Sequence, residues 1–474
     1  MLFNSYTFVI FLAAVFGLHY LPLPWKTKKL NLLAASYLFY AAWNPPFVIL
    51  LLASTVIDWF AARGIHRNQR PGARKAWVAL SLLGNLGMLG FFKYGGFLLD
   101  NFIALAGSFG LQFAPARFDI VLPIGISFYT FQTLSYTLDV YRGKFQPSTS
   151  FLDYALFVTF FPQLVAGPIV RASQLLPQFA QPQQATRQQF GRGLALLVLG
   201  LFQKVALADG IFAPVVDAVY GSPHGADVFS SWTAVYAFMG QIFCDFAGYS
   251  TCAIGVALCL GFRLPQNFAC PLASIGFRDF WNRWHITLST WMRDYLYSSM
   301  RPRGGATSRI NLNLLLTMSV VGLWHGARWT FVVWGTIQGL LLVTERIIRK
   351  RVPPSAFWKR TSVRFFLAQL TVLVASIAAV FFRGSSFPNA LSTLKALVGL
   401  DISPRALSIA TVDANLALVG AAALLLTHWF MRERPGLGEM NHWPWWARSA
   451  SLAAMLVLIA TATGEDLAFI YFQF

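Results

Sequence analysis

The chain has 474 residues, of which 56% are hydrophobic and only 12% charged, with 44 phenylalanines and a mean hydropathy of +0.56. Soluble chains carry about 25% charged residues, so this composition excludes an ordinary soluble enzyme and indicates one polytopic helical bundle in a bilayer. The net charge of +19 does not indicate nucleic acid, because the basic residues cluster between apolar runs, at Lys26, Lys28 and Lys29, at Arg63 to Lys75, at Arg346 to Arg364 and at Arg432 to Arg448. That is the pattern of cytoplasmic loops facing anionic headgroups, which makes membrane lipids the expected partner.

In chain order, apolar runs over 3–20, 30–43, 46–62, 76–92, 96–110, 119–138, 151–166, 190–213, 230–246, 251–262, 310–325, 328–345, 363–382, 407–430 and 447–463 predict spanning or partly spanning helices. A crossing takes about 20 apolar residues, so the shorter runs predict re-entrant or interfacial helices and about ten to twelve true spans. The sequence begins apolar at Met1, without a basic stretch or a small-residue cleavage site, so the first run is expected to remain as a membrane segment. Asn44-Pro45-Pro46 is expected to divide a helical hairpin, and Phe161 through Pro168 to break a helix twice. Basic loops at 346–364 and 431–448, placed in the cytoplasm, put 384–406 and the tail with Glu465 and Asp466 outside. Phe382 to Phe387, followed by Ala390, Leu391 and Leu394, then predicts a short amphipathic helix at the outer interface.

Gly261 to Arg309 is neither apolar enough to cross lipid nor polar enough for an ordinary loop. Phe277, Trp281, Trp284, Ile286, Leu288 and Trp291 share it with Arg278, Arg283, His285, Arg293 and Asp294. Aromatic anchors beside charged tips predict helices buried in protein at membrane depth. Cys244, Cys252, Cys259 and Cys270 lack CxxC spacing and read as small buried hydrophobes.

His325, in Gly322-Leu323-Trp324-His325-Gly326, is the leading site candidate, since an ionisable group in so apolar a stretch marks function. An imidazole accepts a proton near neutral pH, and a hydroxyl attacking an acyl carbonyl must lose one. The alternative is a hydrogen-bonded structural histidine at a helix junction. His285 has a similar pair of readings. On a continuous helix it shares a face with Trp281 and Leu288, with Asn282 and Ser289 near the edge, and orients a hydroxyl or steadies a carbonyl oxygen, or it only ties that helix to a carbonyl. No third ligand stands at zinc spacing, so no metal and no tightly bound cofactor is expected.

Asp245, beside Gly248-Tyr249-Ser250, is a carboxylate in apolar sequence and calls for a histidine or arginine partner. Ser127 and Gln132, within Pro123 to Gln132, and Gln163 put hydroxyls and amides where they line a passage or bond within their own helices. Arg283, Arg293 and Asp294 complete the polar set. His19, His66, His224, His428 and His442 are expected at interfaces or span ends, and no GxSxG, Walker A or GxGxxG motif is present.

Taken together, Phe92-Lys93-Tyr94, Leu122 to Gln132, Asp139 to Gly143, Phe160 to Pro168, Asp245-Phe246, Gly248 to Ser250, Phe280 to Ser289, Arg293 to Tyr297 and Gly322 to Gly326 resemble the membrane-bound O-acyltransferase superfamily, in its bacterial alginate O-acetyltransferase-like branch. The likeness covers most of 85–385, as the catalytic core of one integral membrane domain over 1–474. It implies an all-α ring of membrane helices around a funnel with re-entrant helices, in the bacterial inner membrane. It also implies transfer of an acyl group, usually acetyl, from a thioester such as acetyl-CoA or a carrier-linked donor towards polysaccharide hydroxyls. The family's invariant histidine corresponds to His325 and its second prominent histidine to His285. Relatives of this branch work beside a periplasmic SGNH-type or jelly-roll acetyltransferase and a polysaccharide synthesis and export complex. The sequence departs from the branch at Thr251-Cys252, where Asp-Met is usual, at Asn282, at Gln338-Gly339, where His-Gly is common, and at Met300 to Gly305. These departures leave other glycans, such as acetylated cellulose, open as acceptors. Two rival classes are a transporter, with a polar residue in a broken helix marking its path, and a noncatalytic scaffold of an export complex.

Overall fold

The computed structural model describes residues 1–113, 115, 120–300, 307–353, 355–400, 402–433, 443–462 and 469–470. Arg301 to Gly305, Arg434, His442, Glu465 and Asp466 lie outside the described residues. Among those described there is no strand, only an isolated bridge between Ala226 and Leu407. Among the described residues seven helices are long and apolar enough to cross a membrane by length and composition, fewer than the ten to twelve spans expected because neighbouring apolar runs join into single helices, and Tyr6–Tyr20 and Trp445–Thr461 are shorter apolar helices. Two compact units organise the chain, Met1–Leu194 with Ala253–Pro265, and Ala195–Cys252 with Gln266–Phe474.

The first unit opens with α1 (Tyr6–Tyr20), where the Ser5 hydroxyl accepts the Phe8 N–H at 3.2 Å and so caps an otherwise unpaired donor. Helices α2 (Trp25–Ala41) and α3 (Val48–Arg67) are divided at Pro45–Phe47, because prolines lack the N–H that a continuing helix needs. The runs 76–92 and 96–110 do not make two helices. Here α4 (Pro71–Leu89) continues through a π-helical turn, Gly90–Tyr94, into α5 (Gly95–Ser108), since nothing in Gly90 to Gly95 removes a backbone donor.

The run 119–138 yields α6 (Ile126–Tyr141), buried along nearly its whole length. Its hydroxyls turn inward. Thr133 donates to Tyr129 O at 3.0 Å and Ser135 to Gln132 O at 2.7 Å, while Thr137 donates at 2.5 Å to the fully buried Asp58, which also accepts from Asn85 Nδ2 at 2.5 Å and from Ser81. Helices α7 (Phe151–Thr159), α8 (Phe161–Leu164) and α9 (Ala172–Phe179) follow, short because of the breaks around Phe160 and Pro168.

Helix α10 (Arg187–Leu201), whose residues from Ala195 onward belong to the second unit, runs through a π-helical stretch, Phe202–Phe212, into α11 (Ala213–Gly221). Next, α12 (Val228–Cys259) is one helix of 32 residues where two runs were expected. Gly248, in the gap between those two runs, serves close approach instead of a break. A Cβ at Gly248 would lie 2.7 Å from Gly200 O, and one at Gly200 2.5 Å from the Cys252 sulfur, so two spans meet backbone to backbone.

After the irregular stretch to Gly276 come α13 (Phe277–Arg283), α14 (Ile286–Trp291), a π-helical stretch Met292–Tyr297 and α15 (Ser298–Met300). Helices α16 (Thr307–His325) and α17 (Trp329–Arg351) form a tight hairpin, since a Cβ at Gly322 would meet Phe331 O at 2.2 Å and one at Gly335 would meet Met318 O at 2.3 Å. The unit is completed by α18 (Thr361–Ala378), by α19 (Val380–Arg383) and α20 (Phe387–Leu397), which divide at Gly384–Ser386 where one amphipathic helix from Phe382 was expected because the Ser386 hydroxyl caps a new helix start, and by α21 (Thr411–Met431) and α22 (Trp445–Thr461).

Candidate active site

His325 is the last residue of α16 and is buried. The α16–α17 glycine contacts fix that helix end, and the ring is walled by aromatics, with centroids 5.0 Å from Trp324, 5.2 Å from Trp334 and 5.3 Å from Phe382. It lines a small cavity of about 30 Å³ with Met239, Ile242, Phe280, Trp284, Trp334, Gln338, Ala375, Ala379 and Phe382. That is room for about one water or one methyl-sized group.

His285 is not on a continuous helix with Trp281 and Leu288. Trp284 is extended, with φ −96° and ψ 127°, and His285 is left-handed, with φ 42° and ψ 55°, so α13 ends before it and α14 starts after it. Asn267 causes the break. Its backbone O accepts the Ile286 N–H at 2.9 Å, and its side-chain Oδ1 accepts from Thr287 N at 3.3 Å and Thr287 Oγ1 at 2.9 Å. A backbone N–H can only donate, so Oδ1 is the acceptor end of this amide, and the His285 Nδ1 at 3.0 Å must carry the proton it donates there. Nε2 therefore carries the ring's lone pair, and burial pushes the pKa of His285 down to about 3, which keeps the ring neutral. A neutral ring in this tautomer accepts a hydrogen bond from a hydroxyl and is not a donor for an oxyanion. The bond to Asn267 is the tie to a carbonyl oxygen read from the sequence, and His285 is not among the residues lining the cavity beside His325.

The indole of Trp324 joins the two histidines, its centroid 6.1 Å from His285 and 5.0 Å from His325. A larger cavity, about 230 Å³, is lined by Asn282, Trp281, Arg278 and Arg293 on one side and by Leu314, Thr317, Met318 and Val321 of α16 on the other. Those α16 positions recur every three or four residues, the spacing of one helix face, and His325 lies one turn beyond Val321 on that stripe. Trp281 of the larger cavity lies 6.1 Å from Trp334 of the smaller one. A polar cleft of about 610 Å³ includes Asp217, Tyr220, Ser385, Asn389 and Arg383, the chain neighbour of Phe382. Arg383 pairs with Asp217 at 2.6 Å.

The other candidates divide. Asn282 and Arg293 reach the larger cavity, and Arg293 pairs at its exposed edge with Asp294 at 3.0 Å. Arg283 is engaged in holding the segment, donating to Asp279 at 2.9 Å, Ala269 O at 3.0 Å and Arg432 O at 3.2 Å. Asp245 pairs with neither a histidine nor an arginine. Its partner is Lys204 at 2.5 Å, brought there by the Gly200–Gly248 contact and shared with Asp209 at 2.8 Å, and the second Asp245 oxygen accepts the Ile470 N–H at 2.8 Å. Tyr249 is buried against Phe469 at 5.1 Å. Ser127, Gln132 and Gln163 belong to the first unit. There both glutamines donate to Phe157 O, Gln163 at 3.0 Å, and Ser127 accepts from Lys93 at 3.5 Å.

Two of the histidines expected near span ends, His19 in the last turn of α1 and His428 in the last turn of α21, are also buried. His19 is 3.0 Å from Leu260 O, and His428 Nδ1 accepts the Leu272 N–H at 3.1 Å, because each irregular stretch needs its backbone groups satisfied. Among the described residues no group of three His, Cys, Asp or Glu side chains could hold a metal ion. Sequence reasoning missed Asn267, Lys204 and Phe382. Only Lys204 carried a signal, as a lone cation in an apolar run.

A buried histidine at a helix end beside a small apolar cavity, in a polytopic chain that is helical throughout its described residues, defines an integral membrane protein with an ionisable group in its interior. The profile of the MBOAT, membrane-bound O-acyltransferase family, matches residues 146–387. The chain is 40% identical over 379 residues to the "Probable alginate O-acetylase AlgI" of Azotobacter vinelandii, covering 79% of this chain and 74% of that one. It is 38% identical over 402 residues to the protein of the same description from Pseudomonas aeruginosa, covering 84% and 75%. It is 35% identical over 435 residues to the "Peptidoglycan O-acetyltransferase" of Helicobacter pylori, covering 85% and 80%. The chain belongs to the membrane-bound O-acyltransferase family. It is an acyltransferase and a multi-pass protein of the bacterial inner membrane, which sets aside the transporter and scaffold readings.

Proposed function

We propose that this acyltransferase moves an acetyl group from a cytoplasmic thioester, acetyl-CoA or a carrier-linked equivalent, to hydroxyls of a cell-surface polysaccharide, directly or through a periplasmic acetyltransferase partner working with the export complex. The observation that carries the reading is the α16 stripe, which leads from the 230 Å³ apolar cavity to His325. With the basic clusters at 346–364 in the cytoplasm, that cavity is on the donor side, and Arg278 and Arg293 on it attract the donor's phosphates. The polar cleft with Arg383 then faces outward, where an acceptor hydroxyl arrives. Relatives described as acting on alginate and on peptidoglycan support a glycan acceptor, alginate among the candidates.

In this mechanism His325 takes the proton as the acceptor oxygen bonds to the acyl carbon. The tetrahedral oxyanion collapses with cleavage of the C–S bond, and the departing thiolate recovers the proton from His325. His285 Nε2 orients the hydroxyl, and Trp324 holds both rings in register. No covalent acyl-enzyme is needed. The test is His325→Ala in producing cells. The variant is expected at wild-type abundance in the membrane, with surface-glycan acetylation and acetyl-CoA consumption lost. Retained acetylation would overturn the assignment of the base.

A further inference from the structure

Gln338 is 1% exposed, lies one turn after Trp334 on α17 and lines the 30 Å³ cavity together with His325. The other lining side chains are aliphatic or aromatic, so apart from the indoles these are the cavity's polar groups. The carboxamide Oε1 has no hydrogen-bond partner among the described residues. Buried amide oxygens without a partner also occur at Gln163, Gln203 and Gln241, but of these glutamines it is Gln338 that lines the cavity with His325, where a reacting group can meet it. No protein group claims that oxygen, so a half-turn of the amide breaks no bond to it and presents Nε2 to the cavity.

We propose that Gln338 is a catalytic residue of the acyl transfer, whose side-chain N–H binds the carbonyl oxygen of a short acyl group and stabilises the oxyanion formed as His325 takes the hydroxyl proton. This rests on the acyl-transfer reading above. The division of labour follows from the chemistry of the two groups. The imidazole must accept, so the carbonyl oxygen needs its donor elsewhere, and the neutral His285 with Nδ1–H bound to Asn267 does not supply one. The amide donates without any change of protonation, in a site too small to admit bulk water.

The experiment measures thiol release from acetyl-CoA by membrane vesicles of producing cells, which contain the full chain and its natural acceptor. Gln338→Met keeps the length and removes the donor. It is expected to lower kcat roughly 100-fold with the KM for acetyl-CoA within about twofold, as for loss of one oxyanion donor. Gln338→His restores an N–H and should recover kcat to within about tenfold of wild type. If Gln338→Met fails to insert, Gln338→Leu is read by the same criterion. Wild-type kcat in the Met or Leu variant overturns the proposal, as does an equal loss in the Met and His variants accompanied by a lower unfolding temperature in both, which marks a packing role. Wild-type vesicles that release no thiol from acetyl-CoA overturn acetyl-CoA as the donor, and the variants are then compared with an acetylated carrier protein as donor, where unchanged transfer in Gln338→Met overturns the proposal.

Discussion

The indole of Trp324 touches both imidazoles, with ring centroids 6.1 Å from His285 and 5.0 Å from His325, so one side chain sets the spacing between two groups carried on separate helices. Trp324→Ala removes that shared wall and is expected to cost about 3–5 kcal/mol of stability, as for other buried Trp→Ala changes. Trp324→Phe keeps a ring there and should retain most of the transfer rate. Thermal unfolding in detergent and vesicle kcat compare the two. Equal activity in both variants would remove the indole from the mechanism.

His285 adopts a left-handed backbone that asparagine tolerates better than alanine does. His285→Asn is therefore expected to fold at least as well as His285→Ala while losing acyl transfer, which separates the role of the ring from that of the backbone. Membrane abundance and acetyl-CoA consumption report the two separately.

The same ring gives a pH dependence of stability. Its pKa is about 3 folded against an ordinary 6.5, so between these values only the unfolded chain takes up the proton. Stability is full above about 6.5 and falls as the pH drops, by about 2 kcal/mol at pH 5 for this one group. Unfolding temperatures across pH 5 to 7.5 should show that slope, flattened in His285→Asn.

Lys204 lies between Asp245 at 2.5 Å and Asp209 at 2.8 Å, all three buried. Lys204→Met leaves two carboxylates without their cation and should cost about 3–5 kcal/mol, the usual penalty for breaking a buried pair. The double variant Lys204→Met with Asp245→Asn should be less unstable than the sum of the singles. Strict additivity in thermal unfolding would show that the pair does not act as a unit.

The cavity beside His325 holds about 30 Å³ and is bounded by Ala375 and Ala379. Acetyl thioesters should react faster than butyryl ones, by about tenfold or more for each added methylene that does not fit. Ala379→Gly should narrow that gap. Equal rates for the two donors in wild type would place the acyl group elsewhere.

Much of this architecture is written locally. Asn44-Pro45-Pro46 ends a helix wherever it occurs, and the mixture of tryptophan and arginine after Gly261 marks a segment unfit for lipid. His325 stands out because its neighbours are apolar. The break at His285 was not legible, because Asn267 makes it through bonds to Ile286 and Thr287, and nothing in Trp281 to Leu288 itself forbids a helix. The partner of Asp245 was hidden for a related reason. Only the meeting of Gly200 with Gly248 brings Lys204 alongside, and a glycine in sequence suggests a break as readily as a close approach. That His428 is buried at its helix end was not legible either, because its burial depends on a backbone N–H at Leu272 that needs an acceptor.

Phe382 lines the hollow beside His325 while the next residue, Arg383, lines the polar cleft. An activated ester next to a base is prone to hydrolysis, and a compartment with space for a single small guest admits either water or the reacting group, but not both. Under the proposed chemistry, an acyl group seated there keeps water out, so idle turnover is rare when no alcohol is present and the donor survives until an acceptor hydroxyl arrives.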